Sequence, residues 1–222
     1  MRNTNQKKVG KMHEEKKTDN FIMRMYLETI QSIVGPNGLK SVLNYAHLEK
    51  YINNFPPGND ELGIPLKELQ ALFRSLYDLF GSKGVRGLQL RVGRESGRIF
   101  IEGRPEIAES LRSVTHILPE TMKMRLVLEK MVEQNIRRFP SQSDAPLVEL
   151  KEEKDCFLII YRDRYESEGI TAQIPVCNVF VGNVQYAIQW VTGGEHKVEE
   201  VQCRAMGHPV DIFKISKARK EG

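Results

Sequence analysis

Two hydrophobic periods divide the chain. Up to residue 139 apolar residues return every three to four positions, the helical period; from 147 onward a period of two dominates. Met23, Met25, Tyr26, Leu27, Ile30 and Val34 form a first stripe, which Gly35-Pro36 closes. Leu39, Val42, Leu43, Ala46 and Tyr51 form a second, and the run 53–58 (NNFPPG) breaks the chain. A third helix carries Pro65 in its first turn and turns Leu66, Leu69, Leu72, Phe73, Leu76 and Phe80 one way. In 81–103 Leu88, Leu90 and Val92 alternate like a strand, while Gly93, Gly97 and Gly103 suit close helix packing; helix is the reading adopted. Helices over 107–118 and 119–139 complete this half, the latter striped by Met122, Leu126, Met131 and Ile136.

Beyond the polar joint 140–146 (PSQSDAP), strands are predicted over 147–151 and 156–161, around the charged turn 152–155. A helix over 174–191 follows, with Pro175 at its start and Gly193-Gly194 past its end. Strands over 198–206 and 210–215 flank Gly207-His208-Pro209. The order β-β-α-β-β with two hairpins predicts an antiparallel sheet. The expected fold class is α+β: a helical half, 20–139, packed on a small antiparallel sheet in 145–217. Residues 20–217 form one compact unit, and the lysine-rich residues 1–19 form a flexible basic tail.

Composition narrows the function classes. With 222 residues, 40% of them hydrophobic, the chain can bury a real core. A net charge of +4 is too mild to imply nucleic acid, and Arg86, Arg91, Arg94, Arg98 and Arg104 are balanced by Glu95, Glu102, Glu106 and Glu109. No segment approaches the roughly 20 apolar residues of a membrane span, and the N-terminus has no apolar signal core. A cytoplasmic protein is expected. The glycine-rich run 81–87 (GSKGVRG) fits neither phosphate-binding pattern. Five scattered histidines form no H-E-x-x-H pair, and nothing commits to catalysis.

Three cysteines at wide spacing point to thiols or metal ligands rather than a disulfide framework. Cys177 falls on the predicted helix 174–191, on the face of Phe180, Val181, Val184 and Ile188. Cys203 shares a strand face with Val201 and Ala205, and Asp211 shares one with Phe213 and Ile215. A carboxylate on an apolar face needs a partner. A hairpin centred on Gly207 sets Cys203 opposite Asp211, with Cβ atoms about 5 Å apart. Thiolate and carboxylate both ligate metals. A fourth ligand would come from Glu200, which needs a bulge to reach the same face, or from His208. The alternative is that both cysteines are core residues and Asp211 bonds backbone amides.

The run from Pro175 to Ile215 resembles the 4-vinyl reductase domain, in particular its bacterial hydrocarbon-binding members. Glu200, Cys203, Ala205, Gly207, Phe213 and Ile215 match its E-x-x-C-x-A-x-G-[DN]-x-x-C-x-F-x-[IV] ending, with Cys177 at the earlier cysteine. The resemblance implies a fold like that of trafficking-complex subunits and a pocket for a small apolar molecule. In sensor members four such positions bind a structural zinc; here they are Cys177, Glu200, Cys203 and Asp211, with aspartate replacing the last cysteine. It also implies a homodimer through the helical half; a partner protein that receives the signal is expected because the chain shows no DNA-binding or ATPase pattern. Tyr186 and Trp190 are candidate pocket walls, core packing being the alternative. A non-catalytic sensor is the leading expectation. An enzyme or accessory protein of tetrapyrrole metabolism and a structural subunit with a filled interior stand as alternatives.

Overall fold

The computed structural model describes residues 16–103, 105–106, 108–109, 113, 117–138 and 146–220. The basic tail up to residue 15, most of the helix predicted over 107–118 and the joint 139–145 lie outside them. Residues 16–19 do not belong to a tail. Strand β1 (Lys17–Thr18) pairs antiparallel with β2 (Ile64–Pro65), and the Asp19 carboxylate accepts from Ile22 N–H at 2.9 Å. That bond caps α1 (Asn20–Tyr45) at its first turn.

Helices α1 and α2 (Leu66–Glu102) each turn a corner at a glycine. Gly35 has φ 76° and ψ 168°, and Gly81 has φ 67° and ψ 167°, a backbone region open essentially to glycine alone. Phe80, predicted to face inward, is exposed just before the second corner. Past it the chain continues as helix, which settles the ambiguity over 81–103. α3 (Glu120–Arg138) buries Met124, Val127 and Leu128, so the stripe predicted through Met122 and Ile136 is corrected: both are exposed.

The sheet has strand order β3-β4-β6-β5 and is antiparallel throughout. Its strands are β3 (Val148–Glu152), β4 (Cys156–Tyr161), β5 (His196–Gln202) and β6 (Asp211–Arg219). Between β4 and β5 runs α4 (Asn178–Thr192), ended by Gly193 in the left-handed conformation. The α+β class and the β-β-α-β-β order of the second half are therefore observed. The helix begins four residues later than predicted, leaving Pro175 and Cys177 in the segment before it.

Two hydrophobic clusters meet at α4. One lies under the sheet, where Phe157, Ile159, Phe213 and Ile215 pack on Phe180, Val184 and Ile188 of α4 and on Met124 and Leu128 of α3. The other joins α1 and α2 through Met23, Leu27, Ile30, Leu69, Phe73 and Leu76, and reaches Val179. Each fully buried side chain of this size contributes about 1.5–3 kcal/mol. α2 and α4 touch backbone to backbone: a Cβ on Gly93 would lie 2.0 Å from the Val179 carbonyl oxygen, and one on Gly182 2.2 Å from that of Leu90. Of the glycines expected to permit close packing, Gly93 and Gly97 face α4, whereas Gly103 meets only its own helix, which it ends.

Candidate functional site

Two features could carry function, and both are organised by the segment between β4 and α4. The first is a polar cluster. Cys177, Glu200, Cys203 and Asp211 are all buried and each offers a ligand atom, these atoms lying within 4.8 Å of one another. The hairpin geometry expected from Gly207 holds: Gln202 pairs with Ile212, which sets Cys203 beside Asp211. Glu200 joins them through a register shift between Glu200 and Gln202, the bulge it required. The same shift leaves Val201 exposed, so Cys203 does not share its face as predicted. His208 sits exposed in the turn, outside the cluster.

The protein itself satisfies much of this cluster. Asp211 accepts from Ser167 Oγ at 2.8 Å and from Arg204 N–H at 2.7 Å. Glu200 accepts from Cys177 N–H at 2.8 Å through Oε2, while Oε1 has no hydrogen-bond partner among the described residues. The hydrogen bond from Cys177 holds the Cys203 thiol down at about 6, against the opposing effect of burial. Burial pushes Glu200 up to about 9, and the charge on Cys203 adds to it. Burial likewise raises the Cys177 thiol far above its ordinary range.

The second feature is a cavity of about 80 Å³ at the seam between the two hydrophobic clusters. Ile22, Met25 and Tyr26 of α1, Phe100 of α2, Met131 of α3 and Phe180 of α4 supply most of its apolar wall. Gln134, Asn135 and Asn183 add polar positions, and the segment before α4 adds Arg164 and Tyr165. The Tyr26 and Tyr165 hydroxyls are hydrogen-bonded at 2.6 Å.

Arg164 is a buried cation held by several means at once. It pairs with Glu166, also buried, and its guanidinium carbon lies 4.2 Å from the Phe180 ring centroid and 5.0 Å from that of Tyr161. Glu166 in turn accepts from Val179 N–H at 3.1 Å and Phe180 N–H at 3.3 Å, so a distant carboxylate caps α4 in place of a local residue. Sequence reasoning missed Arg164 and Glu166. The α4 partners of both lie 13 or more residues away, and no local spacing marks them.

The structure places the proposed wall residues elsewhere. Tyr186 packs on Gly97 and donates its hydroxyl proton to Glu102. Trp190 is partly buried against the cluster under the sheet. Neither lines the cavity.

No family model and no curated protein matches the chain. Solved structures do share its fold. One that probes the function of heme distortion in the H-NOX family superposes with a TM-score of 0.59 at 16% identity, over 92% of this chain and 97% of that one. A mutant of the T. tengcongensis H-NOX gives 0.59 at 16% identity, over 91% and 100%. An oxygen-binding H-NOX domain related to soluble guanylate cyclases gives 0.55 at 16% identity, over 92% and 100%. Such a likeness shows the fold alone. It corrects the 4-vinyl reductase assignment, because the domains that share this fold across nearly the whole chain are H-NOX domains. The zinc that the assignment implied is corrected with it: these neighbours are described by heme and oxygen, and none by zinc.

Proposed function

We propose that this chain is a small-molecule-binding sensory domain that works without catalysis and holds a small, mostly apolar ligand in the cavity between α1, α3, α4 and the Arg164-Tyr165 segment. The observation that carries this reading is the cavity's position: a small void with a mainly apolar wall, drawn from four helices and a loop, at the seam of two cores. A ligand there touches α1, α2, α3 and α4 at once. The H-NOX likeness supports a sensory reading at the level of fold.

Heme, named for those neighbours, does not fit the described residues. Cofactor pockets typically enclose about 300–1,000 Å³, against about 80 Å³ here. The cavity wall contains no His or Cys; His47 and His208 are exposed, and His196 is buried beside Ser216 and Glu120. Met25, Met131, Tyr26 and Tyr165 are ligand types known for heme iron, but the two tyrosines are engaged with each other. No step of the proposed function runs through heme. The cavity suits a ligand no larger than benzene, which an engineered cavity of about 150 Å³ admits. Xenon under pressure should shift the methyl resonances of Ile22, Met25 and Met131 in a saturable way; unchanged spectra would remove the proposal.

The cluster of Cys177, Glu200, Cys203 and Asp211 supports a separate reading as a cation-binding site. It is favoured by four buried ligand atoms within 4.8 Å, together with the unpartnered Oε1 of Glu200. Cobalt(II) is the probe: thiolate-to-metal absorption that disappears in Cys203→Ala and in Asp211→Ala supports it. Absence of that absorption in the unsubstituted protein leaves the four as a hydrogen-bonded core cluster.

A further inference from the structure

Among the described residues, His196 is the one histidine whose side chain is buried, and both of its ring nitrogens face an acceptor. Nδ1 lies 3.0 Å from the Ser216 carbonyl oxygen on β6. Nε2 lies 3.0 Å from Oε1 of Glu120 at the start of α3, an ion-pair contact outside hydrogen-bond geometry. Carbonyl and carboxylate oxygens only accept, whereas a neutral imidazole donates from one nitrogen alone. Either neutral tautomer therefore turns a bare lone pair toward an oxygen 3.0 Å away. The imidazolium avoids both conflicts. Glu120 carries its charge there, because hydrogen bonds from Arg219 hold its carboxyl below the ordinary value. We infer that His196 is a proton-operated latch: its protonated ring ties the first turn of α3 to the β5–β6 edge, and loss of the proton loosens that tie.

The charges around the ring set how far the latch can act. From β6, Arg219 stands opposite His196 in register and binds the same Glu120 carboxylate, its Nε at 2.9 Å. Lys217, also on β6, is turned to Glu152. On β5 Lys197 pairs with Glu199, and Glu195 just before the strand faces Lys220. α4 contributes no Asp, Glu, Lys, Arg or His. Since Arg219 still holds Glu120 when His196 is neutral, losing the proton loosens the start of α3 without freeing it. Histidine changes its charge within about pH 5–8, so the tie is present at the low end of that window and lost toward the high end. The Glu120–Arg219 pair has the opposite sign and is lost on acidification. α3 also brings Met131, Gln134 and Asn135 to the cavity, so the latch acts on a helix that borders it. The latch itself does not depend on what the cavity holds.

Nuclear magnetic resonance of the full chain tests this. From about pH 5 to about pH 8 the His196 ring resonances should titrate, and the amide resonances of residues 120–124 should move with the same midpoint. Amide exchange at 124–127, corrected for the intrinsic rate, should quicken by about two- to fivefold, the worth of one partly exposed ion pair. His196→Gln removes the titrating group, and the same amides should then hold still. If that variant folds poorly, Glu120→Gln gives the second reading. Its amide can donate to a neutral Nε2, so the first turn of α3 should stay tied at the high end and the exchange difference should vanish. A His196 ring that titrates without moving the α3 amides overturns the inference. So does a ring that keeps one charge state across the whole window.

Discussion

Glu166 serves two elements from a buried position, accepting from two N–H groups of α4 and pairing with Arg164. Removing it leaves a buried cation and two helix donors unsatisfied. Glu166→Ala should therefore destabilise by about 3–5 kcal/mol, and Glu166→Gln by less, because the amide oxygen can still accept from the α4 N–H groups; urea unfolding measures both. Asp211→Ala leaves Arg204 N–H without its acceptor and Ser167 Oγ with only the Arg164 carbonyl at 3.2 Å, and should cost about 1–3 kcal/mol. Glu120 gives a pH dependence of known sign. Its hydrogen bonds to Arg219, with His196 nearby, hold its carboxyl below the ordinary value. The pair's stabilisation is thus present above that value and lost as pH falls through the lower folded one. It is partly exposed, so about 0–1 kcal/mol is at stake, and Glu120→Gln should flatten the fall in melting temperature as pH drops below the ordinary carboxylate value. At this scale the sequence exposed the cluster but not the cavity. Gly207 fixes a hairpin, and the hairpin places Cys203 and Asp211 by counting alone. Arg164 and Glu166 meet their partners through the fold, so no count of neighbours reaches them.

Two kinds of glycine govern the helices, and they fail differently on substitution. Gly35 and Gly81 have open space around the position of a Cβ but a backbone reserved for glycine. Ala at either should cost about 1–3 kcal/mol, and a D-alanine introduced by chemical ligation should restore most of that. Gly93 and Gly182 have no room beside the opposite helix, so Ala there forces α2 and α4 apart at about 3 kcal/mol or more. D-Alanine should not help, and chemical denaturation of the four paired variants separates the two causes. The first corner was legible in the sequence because Pro36 follows Gly35 at a break in the apolar stripe. The start of α4 was not. Pro175 reads as a first-turn residue, whereas the helix waits for Asn178, where Glu166 can cap it. A capping group supplied from thirteen residues away leaves no trace in local sequence.

For the whole molecule, the hydrophobic period forecast the layering of helices on an antiparallel sheet, and the structure has it. The family did not follow from the same residues. Pro175 to Ile215 describes a hairpin, its bulge and one helix, a piece of chain too short to carry a whole architecture. Hemin provides a direct check of the cavity argument: titrated into the purified chain, it should give no sharp, saturating Soret band. A stoichiometric one would mean that the described wall opens to several times its volume.

The void at the seam has a consequence for how the molecule comes apart. One core holds Ile22, Met25, Tyr26, Tyr165 and Val179, the other holds Phe180 and packs on Phe100 and Met131, and all eight border the same space. Where the wall is empty, the two cores forgo dispersion contacts across the gap, although α2 and α4 hold them together at Gly93 and Gly182. A ligand that fills the gap adds the missing contacts to both. The calorimetric transition should then move to higher temperature as ligand is added. In that sense the ligand is a missing piece of the core, and its binding would be read as added stability.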